Sequence, residues 1–149
     1  MATSTTIINA CDAVVKLDDE AGTLTDITGA SAKATISSSA NSASVRVFAD
    51  DDPITKVCGK DTTIGLECFY STAADEAVDL LKHWWFNYFG TARSIEIYVP
   101  DSTVGSDKFY GEVQVTSLEL PLEAGNAEPI RVSVELVTDG VFALMTVAS

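Results

Sequence analysis

Hydrophobic and polar residues alternate along most of the chain, with the period of two that is typical of strands half-buried in a sheet. The stretch TTIGLECFY shows it well, because one side carries Ile64, Leu66, Cys68 and Tyr70. SIEIYVP, GEVQVTSLEL and PIRVSVELV alternate in the same way, and VFALMTVA predicts a last apolar strand. In GEVQVTSLEL the alternation places Ser117 on the same side as Val113 and Val115. Nearer the start, DAVVKLDD and TLTDITG flank a glycine, which predicts a hairpin.

One stretch departs from this period. STAADEAVDLLKHWWFNYFG has apolar residues three and four apart, and Thr72 with Asp75 forms a capping box, so a helix is predicted over residues 72–89. The stripe predicted to face the core consists of Ala77, Leu80, Leu81, Trp84 and Tyr88. A second apolar row consists of Val78, Trp85 and Phe89. This row packs either within the chain, under loops or a second sheet, or on another copy of the protein as an inter-subunit face.

Together these elements predict one mainly β domain over residues 1–149: an antiparallel β-sandwich or barrel with one flanking α-helix. Two segments supply little to its core. Residues 1–10 form a small, polar N-terminal arm apart from Ile7 and Ile8, and residues 40–60 are weakly apolar. Long segments of that second kind inside compact domains are usually functional or disordered.

The chain is strongly acidic, with 22 acidic and 9 basic residues and a formal net charge of −13. This argues against a nucleic-acid-binding surface and against anionic membranes, because both contacts need clustered Lys and Arg. No apolar run approaches the ~20 residues of a transmembrane helix. Like charge would let DNA slide past without sticking. The simpler interpretation is that the acids keep the protein soluble.

Residues that could carry catalysis are sparse. The single histidine, His83, lies on the polar side of the predicted helix, and the three cysteines lack a partner motif, so we expect reduced thiols and no enzyme. We also expect no cofactor and no metal centre. The carboxylates of ADDDP suit Ca²⁺ but lack the spacing of an EF-hand loop, which favours a solvated acidic turn. Function is therefore expected at surfaces, in self-assembly or binding.

Three stretches together resemble the major tail tube proteins of long-tailed, non-contractile, siphovirus-like bacteriophages. They are DAVVKLDDEAGTLTDITG, YSTAADEAVDLLKHWWF and SIEIYVPDSTVGSDKFYGEVQVTSLELPLEAGNAEPIRVSVELVTDGV, in that order over residues 12–141. The likeness lies in the series of turns and strands. Residues 40–60 share little beyond their position.

The resemblance implies a β-sandwich with a flanking helix, six copies in a ring, and rings stacked into a tube. Strands near residues 32–38 and 62–70 would line the channel, and residues 40–60 would form a long hairpin loop reaching the adjacent ring. The residues expected in this inter-ring loop are Ala43, Val45, Val47, Phe48, Asp50, Asp51, Asp52, Ile54 and Val57. The arm residues Ile7 and Ile8 would make further contacts between rings or between neighbouring subunits. Glu67, Asp50 and Asp51 are candidate acids of the lumen.

The leading hypothesis is a structural virion protein whose stacked hexameric rings conduct phage DNA. The resemblance implies as partners further copies of itself, a tape-measure protein and other tail proteins, with DNA passing through unbound and no membrane contact. It implies a location in the virion tail after assembly in the bacterial cytoplasm. The alternative is an acidic β-sandwich that binds a ligand or carbohydrate on Tyr98, Phe109 and Tyr110.

Overall fold

The structure is a computed structural model that describes residues 12–19, 22–46, 48, 52–74, 76–125 and 127–148. Several predicted residues lie outside these ranges. They are the arm residues Ile7 and Ile8, Val47, Asp50 and Asp51 of the predicted inter-ring loop, Asp75 of the predicted capping box, and Cys11.

Eight strands and one α-helix make up the described chain. They are β1 (Val14–Asp18), β2 (Leu24–Asp26), β3 (Ser31–Val45), β4 (Ile54–Phe69), α1 (Ala77–Asn87), β5 (Arg93–Val99), β6 (Asp107–Glu119), β7 (Arg131–Thr138) and β8 (Ala143–Thr146), with a 3₁₀ turn at Thr28–Ala30.

All eight strands belong to one antiparallel sheet, in the order β2-β1-β5-β6-β7-β4-β3, with β8 added to β6. The predicted N-terminal hairpin is confirmed, because β1 pairs with β2 through Lys16 opposite Asp26. The sheet curls around its core: β3 ends the strand order on one side, yet it shares a groove with β1 and β5 from the other side. The fold is therefore mainly β with a single helix, as the alternation indicates.

One face of the curled sheet holds the apolar core. The predicted alternation of β4 and β7 is confirmed within the strands, since their buried apolar residues are Ile64, Leu66 and Cys68 of β4 and Val132, Val134 and Leu136 of β7. Tyr70, predicted on the same side, follows β4 and is 38% exposed. Helix α1 packs against this face through residues that include Leu81 and Trp84. The indole Nε1 of Trp84 donates a hydrogen bond of 2.8 Å to the backbone oxygen of Thr91. Hence the largest buried side chain has its polar atom satisfied.

Strand β6 changes which residues face the core part-way along its length. The pairing with β7 shifts between Val115 and Ser117, so β6 carries one extra residue there. After this bulge Leu118 packs against the core, and Ser117 is exposed. The prediction that Ser117 shares a side with Val113 is therefore wrong, because an inserted residue reverses the faces of everything that follows it.

Helix α1 is shorter than predicted, and its apolar rows are divided differently. Its N-cap is Glu76, in an extended conformation and without a side-chain capping bond, so the predicted start at Thr72 is wrong. The carbonyl of Trp84 accepts the last helical bond from Tyr88, which ends the helix and is 44% exposed rather than in the core. Val78 is 2% exposed and lies in the core of this chain. Its assignment to an inter-subunit face is a second error.

Strands β3 and β4 continue well beyond the rest of the sheet. β4 pairs with β7 only from Thr63 onward, whereas its pairing with β3 extends to Ile54 opposite Val45. In the region of the predicted long hairpin loop, residues 39–45 of β3 and 54–61 of β4 therefore form a two-stranded ribbon that projects about 20 Å at ~3.4 Å per residue. The register shifts once along it, near Gly59, whose φ is +75°. A glycine with positive φ suits a bulge that carries one extra residue.

Candidate functional site

The face of the sheet opposite the core is a broad polar surface formed by four strands, β3, β4, β7 and β6. It consists of Lys33, Thr35 and Ser37 of β3, Thr63, Gly65 and Glu67 of β4, Arg131, Ser133 and Glu135 of β7, and Ser117 and Glu119 of β6. We call it the polar face. It forms an open groove of about 390 Å³, whose lining also includes the buried residues Leu66 and Val134. Small hydroxyl groups dominate it.

The polar face is only weakly acidic, unlike the chain as a whole. It carries two cations and three carboxylates, against a formal charge of −13 for the whole chain. Glu67, predicted as a lumen acid, does lie on this face, and its Oε1 is 3.4 Å from Nη1 of Arg131. Both side chains are partly exposed, so solvent screens this pair and it contributes little to stability.

Both margins of this four-stranded part of the sheet are open among the described residues. β3 pairs with β4 along one edge, and no described strand pairs with its other edge. At the opposite margin, Val113 of β6 still has partners on both sides, Arg93 and Thr138. Beyond it, the residues up to Glu119 pair with β7 alone. Unpaired strand edges are templates for pairing with another chain.

The far end of the β3–β4 ribbon is apolar and exposed. Val45, Ile54 and Val57 are 62%, 57% and 62% exposed, and Phe48 in the turn is fully exposed. The other predicted residues described here, Ala43 and Asp52, are exposed as well. The apolar residues of this tip cover no part of the core of the chain, because the ribbon lies beyond β7. A cluster of that kind indicates a contact surface.

The helix offers a second exposed apolar patch at its C-terminal end. Phe89 is 71% exposed and Phe86 70%, whereas Trp85 is half-buried. The rings of Trp85 and Phe89 meet edge to face with centroids 5.1 Å apart. Two of the three residues predicted for an inter-subunit helix face are thus accessible, and Val78 is not.

The structure does not provide the predicted carbohydrate platform. Tyr98 is 7% exposed, with its hydroxyl donating a 2.6 Å hydrogen bond to Glu96. Phe109 is partly buried and packs against the core, which leaves only Tyr110 on the surface. A sugar-binding surface needs several exposed aromatic faces side by side. The assignment of these three residues to one platform is wrong.

The described residues contain few groups suited to catalysis or metal binding. Among the described residues, no group of three or more His, Cys, Asp or Glu side chains is placed to hold a metal ion. The thiol of Cys68 is buried, which raises its pKa, and Cys58 is exposed. The described helix is too short to cross a membrane.

Comparison with known proteins places this architecture. No family model matches the chain, and no curated protein matches it by sequence. Solved structures do. One match is the tail of an empty gene transfer agent particle, determined with C6 symmetry. It has a TM-score of 0.72 and 15% sequence identity, and the match covers 93% of this chain and 99% of that chain. This is a tail-tube fold.

Two further structures bear this out. The SPP1 tail tube matches with a TM-score of 0.71 and 11% identity, covering 96% of this chain and 80% of that one. The sheath/tube terminator of the extracellular contractile injection system PVC matches with a TM-score of 0.70 and 15% identity, covering 96% of this chain and 99% of that one. These similar structures are parts of a gene transfer agent tail, a tail tube and an injection system. At such low identity the likeness concerns the fold.

Sequence reasoning missed the open edge of β6 and its charged end. Nothing in GEVQVTSLEL shows that the partner strand stops at Val113 on one side, because strand pairing is not written in the alternation itself. The polar face, in contrast, had a readable signal. Arg131, Ser133 and Glu135 alternate with buried residues of β7, which predicts a solvated face.

Proposed function

We propose that the protein is the tail tube subunit of a siphovirus-like phage or a related particle, and that six copies form a ring. The rings stack into a hollow tube that encloses a tape-measure protein and later conducts DNA. The proposal rests above all on one observation: a four-stranded sheet with a polar face on one side, the core on the other, and two open edges. The likeness to tails and tubes, one of them with C6 symmetry, supports it.

The geometry of the sheet favours repeated edge pairing. With an even number of antiparallel strands, β3 and β6 run in opposite directions, so joining β3 of one copy to β6 of the next continues the antiparallel pattern. A head-to-tail contact of this kind closes into a ring when its rotation divides a full turn. Closure leaves no open edge.

The dimensions of such a ring suit a conduit. Six copies would contribute 24 strands, and at about 4.8 Å between strands tilted by about 40° the barrel measures roughly 45–50 Å between backbones. That is wide enough to admit duplex DNA. Serine and threonine hydroxyls would line the bore, with a slight excess of carboxylate, so phosphates would find few cations to bind. The DNA would pass without a specific site.

Stacking would use the ribbon. Its exposed tip, Val45, Phe48 and Ile54, extends beyond the sheet and would bury its apolar surface on the adjacent ring. The arm residues Ile7 and Ile8 and the helix residues Trp85 and Phe89 would add contacts outside the inner barrel. Glu67, Asp50 and Asp51 are the acids proposed for the lumen, and the remaining acids keep the free subunit soluble.

Negative-stain microscopy of the purified protein over a concentration series tests the proposal. Hollow tubes or six-fold rings are expected. A protein that sediments as a monomer at every concentration, alone and with the other tail proteins, would overturn it.

A truncated ribbon separates stacking from ring formation. Replacing residues 44–55 by Asn-Gly joins the opposed pair Ala43 and Lys56 by a two-residue hairpin turn. We expect this variant to fold and to form rings but no long tubes. A matched control, Val104→Ser, removes an equally exposed apolar side chain elsewhere and should form tubes. Long tubes from the truncated variant would contradict the stacking role.

A further inference from the structure

An apolar groove lies beside the open edge of β3, on the core side of the sheet. It has a volume of about 370 Å³ and is lined by residues that include Ala34 and Ile36 of β3 and Ile97 and Val99 of β5. Ile36 is 36% exposed although it lies opposite buried Ile64. The core surface therefore extends under β3, and no described part of the chain covers it there.

The other open margin ends in exposed leucines. Leu118 of β6 packs against the core, and Leu120 and Leu122 follow at the same two-residue spacing. Leu120 is 40% exposed and Leu122 is 72% exposed. One edge thus has an unfilled apolar groove, and the other has apolar side chains that are exposed to solvent.

The two features lie at the same level of the sheet. One cross-strand row runs through Ala34, Leu66, Val134 and Leu118. The next row runs through Lys33, Glu67, Ser133 and Glu119, on the polar face. A neighbouring copy that extends these rows would bring the leucine end of its β6 to the groove beside β3.

The charges at the two margins are also complementary. Lys33 stands on the open edge strand β3, and Glu119 ends the open edge of β6. Neither side chain forms an ion pair within the described residues. Both are exposed, so each is accessible to a second chain. Complementary charges across an interface fix register and discriminate against wrong pairings.

We infer that Leu120 and Leu122 of one copy insert into the groove beside β3 of the next, with Glu119 facing Lys33 across the joint. The inference rests on the proposed ring and specifies its contact. Only an even stagger between β3 and β6 keeps the leucines on the groove side, because an odd one turns them to the polar face. If β6 of one copy is shifted by two residues along β3 of the next, Lys33 can still reach the carboxylate of Glu119 as a diagonal neighbour.

The leucines are tested by the paired substitution Leu120→Ser and Leu122→Ser. Both positions are exposed in the single chain, so the monomer should keep its circular dichroism and melting temperature. We expect the concentration needed for rings or tubes to rise about tenfold or more, equivalent to about 1.4 kcal/mol. The control pair Val104→Ser and Val141→Ser removes two exposed valines elsewhere and should assemble as the wild-type protein does. Unchanged assembly of the leucine variant would overturn the inference.

The charge pair is tested by exchange. Lys33→Glu and Glu119→Lys should each weaken assembly, by about fivefold on the scale of exposed ion pairs. Together they should restore it, because the opposite charges again face each other. A double variant no better than the worse single one would refute the pairing of these two residues. If the wild-type protein forms no rings or tubes at all, the proposed function itself fails, which is a different outcome from assembly that ignores these variants.

Discussion

Gly111 of β6 lies under the segment that leads into β8, and this contact yields a sharp prediction. A Cβ added at Gly111 would lie 2.9 Å from Cδ2 of Phe142, 2.9 Å from the backbone oxygen of Val141 and 3.2 Å from Cα of Phe142. Two of these atoms belong to the backbone, so a rotamer change alone does not make room. Gly111→Ala must therefore displace the chain before β8.

The magnitude follows from the cost of overpacking, about 1–3 kcal/mol for an added methyl group without space. For a chain of this length that lowers the melting temperature by about 3–10 °C. Gly65→Ala is a matched control, because it also adds a methyl group inside a strand, where the nearest atom is Cβ of Thr35 at 3.9 Å. That variant should be neutral or slightly more stable, since alanine restricts the unfolded chain more than glycine does.

Urea denaturation and thermal unfolding of the two variants, measured on the unassembled protein, provide the assay. Loss of stability in Gly111→Ala with none in Gly65→Ala supports the close approach of Phe142. Equal stability of both variants would show that the segment before β8 does not press on Gly111, and the reasoning would fail.

Three further predictions concern other parts of the chain. Trp84→Phe should destabilise the fold by about 1–3 kcal/mol in urea denaturation, because the carbonyl of Thr91 loses its buried donor; a change below about 0.5 kcal/mol would contradict this. Burial, with the hydrogen bond and charge of Glu96, raises the pKa of Tyr98 to about 12. The folded state then holds its proton longer than the unfolded state, so stability should fall between pH 10 and 12, a loss absent from Tyr98→Phe. Gly59→Ala should cost about 1–2 kcal/mol from positive φ alone and speed amide exchange in the ribbon while leaving the core unchanged; equal exchange would argue against this backbone conformation.

The sequence predicted the elements of the core well because their burial is recorded in local alternation. Ile64 and Leu66 of β4 and Val132 and Val134 of β7 are buried as their spacing indicates. The period of two depends only on which face of a strand is covered. For a strand with one polar and one apolar side, the buried and the exposed face can both be predicted without knowing which strands pair with it.

What the sequence did not predict depends on neighbours that lie far along the chain. The bulge after Val115 reverses the faces of Ser117 and Leu118, and nothing local marks it. The polar strands of the ribbon resembled a loop because their residues are exposed on both faces and show no alternation. Pairing with each other, not burial, supports them. Val78 could be assigned to the core only once the position of the helix on the sheet was known.

The two open margins have a consequence for how growth of a ring would end. If copies join as we infer, an incomplete arc of several copies presents the same pair of ends as a lone molecule, and arcs can join arcs. The contacts within a single joint do not set the number of copies in a ring. The angle between successive copies sets it. If many arcs start at once, the free copies run out and arcs remain whose sizes do not add up to a closed ring, so such a polymer is made reliably only when starts are few.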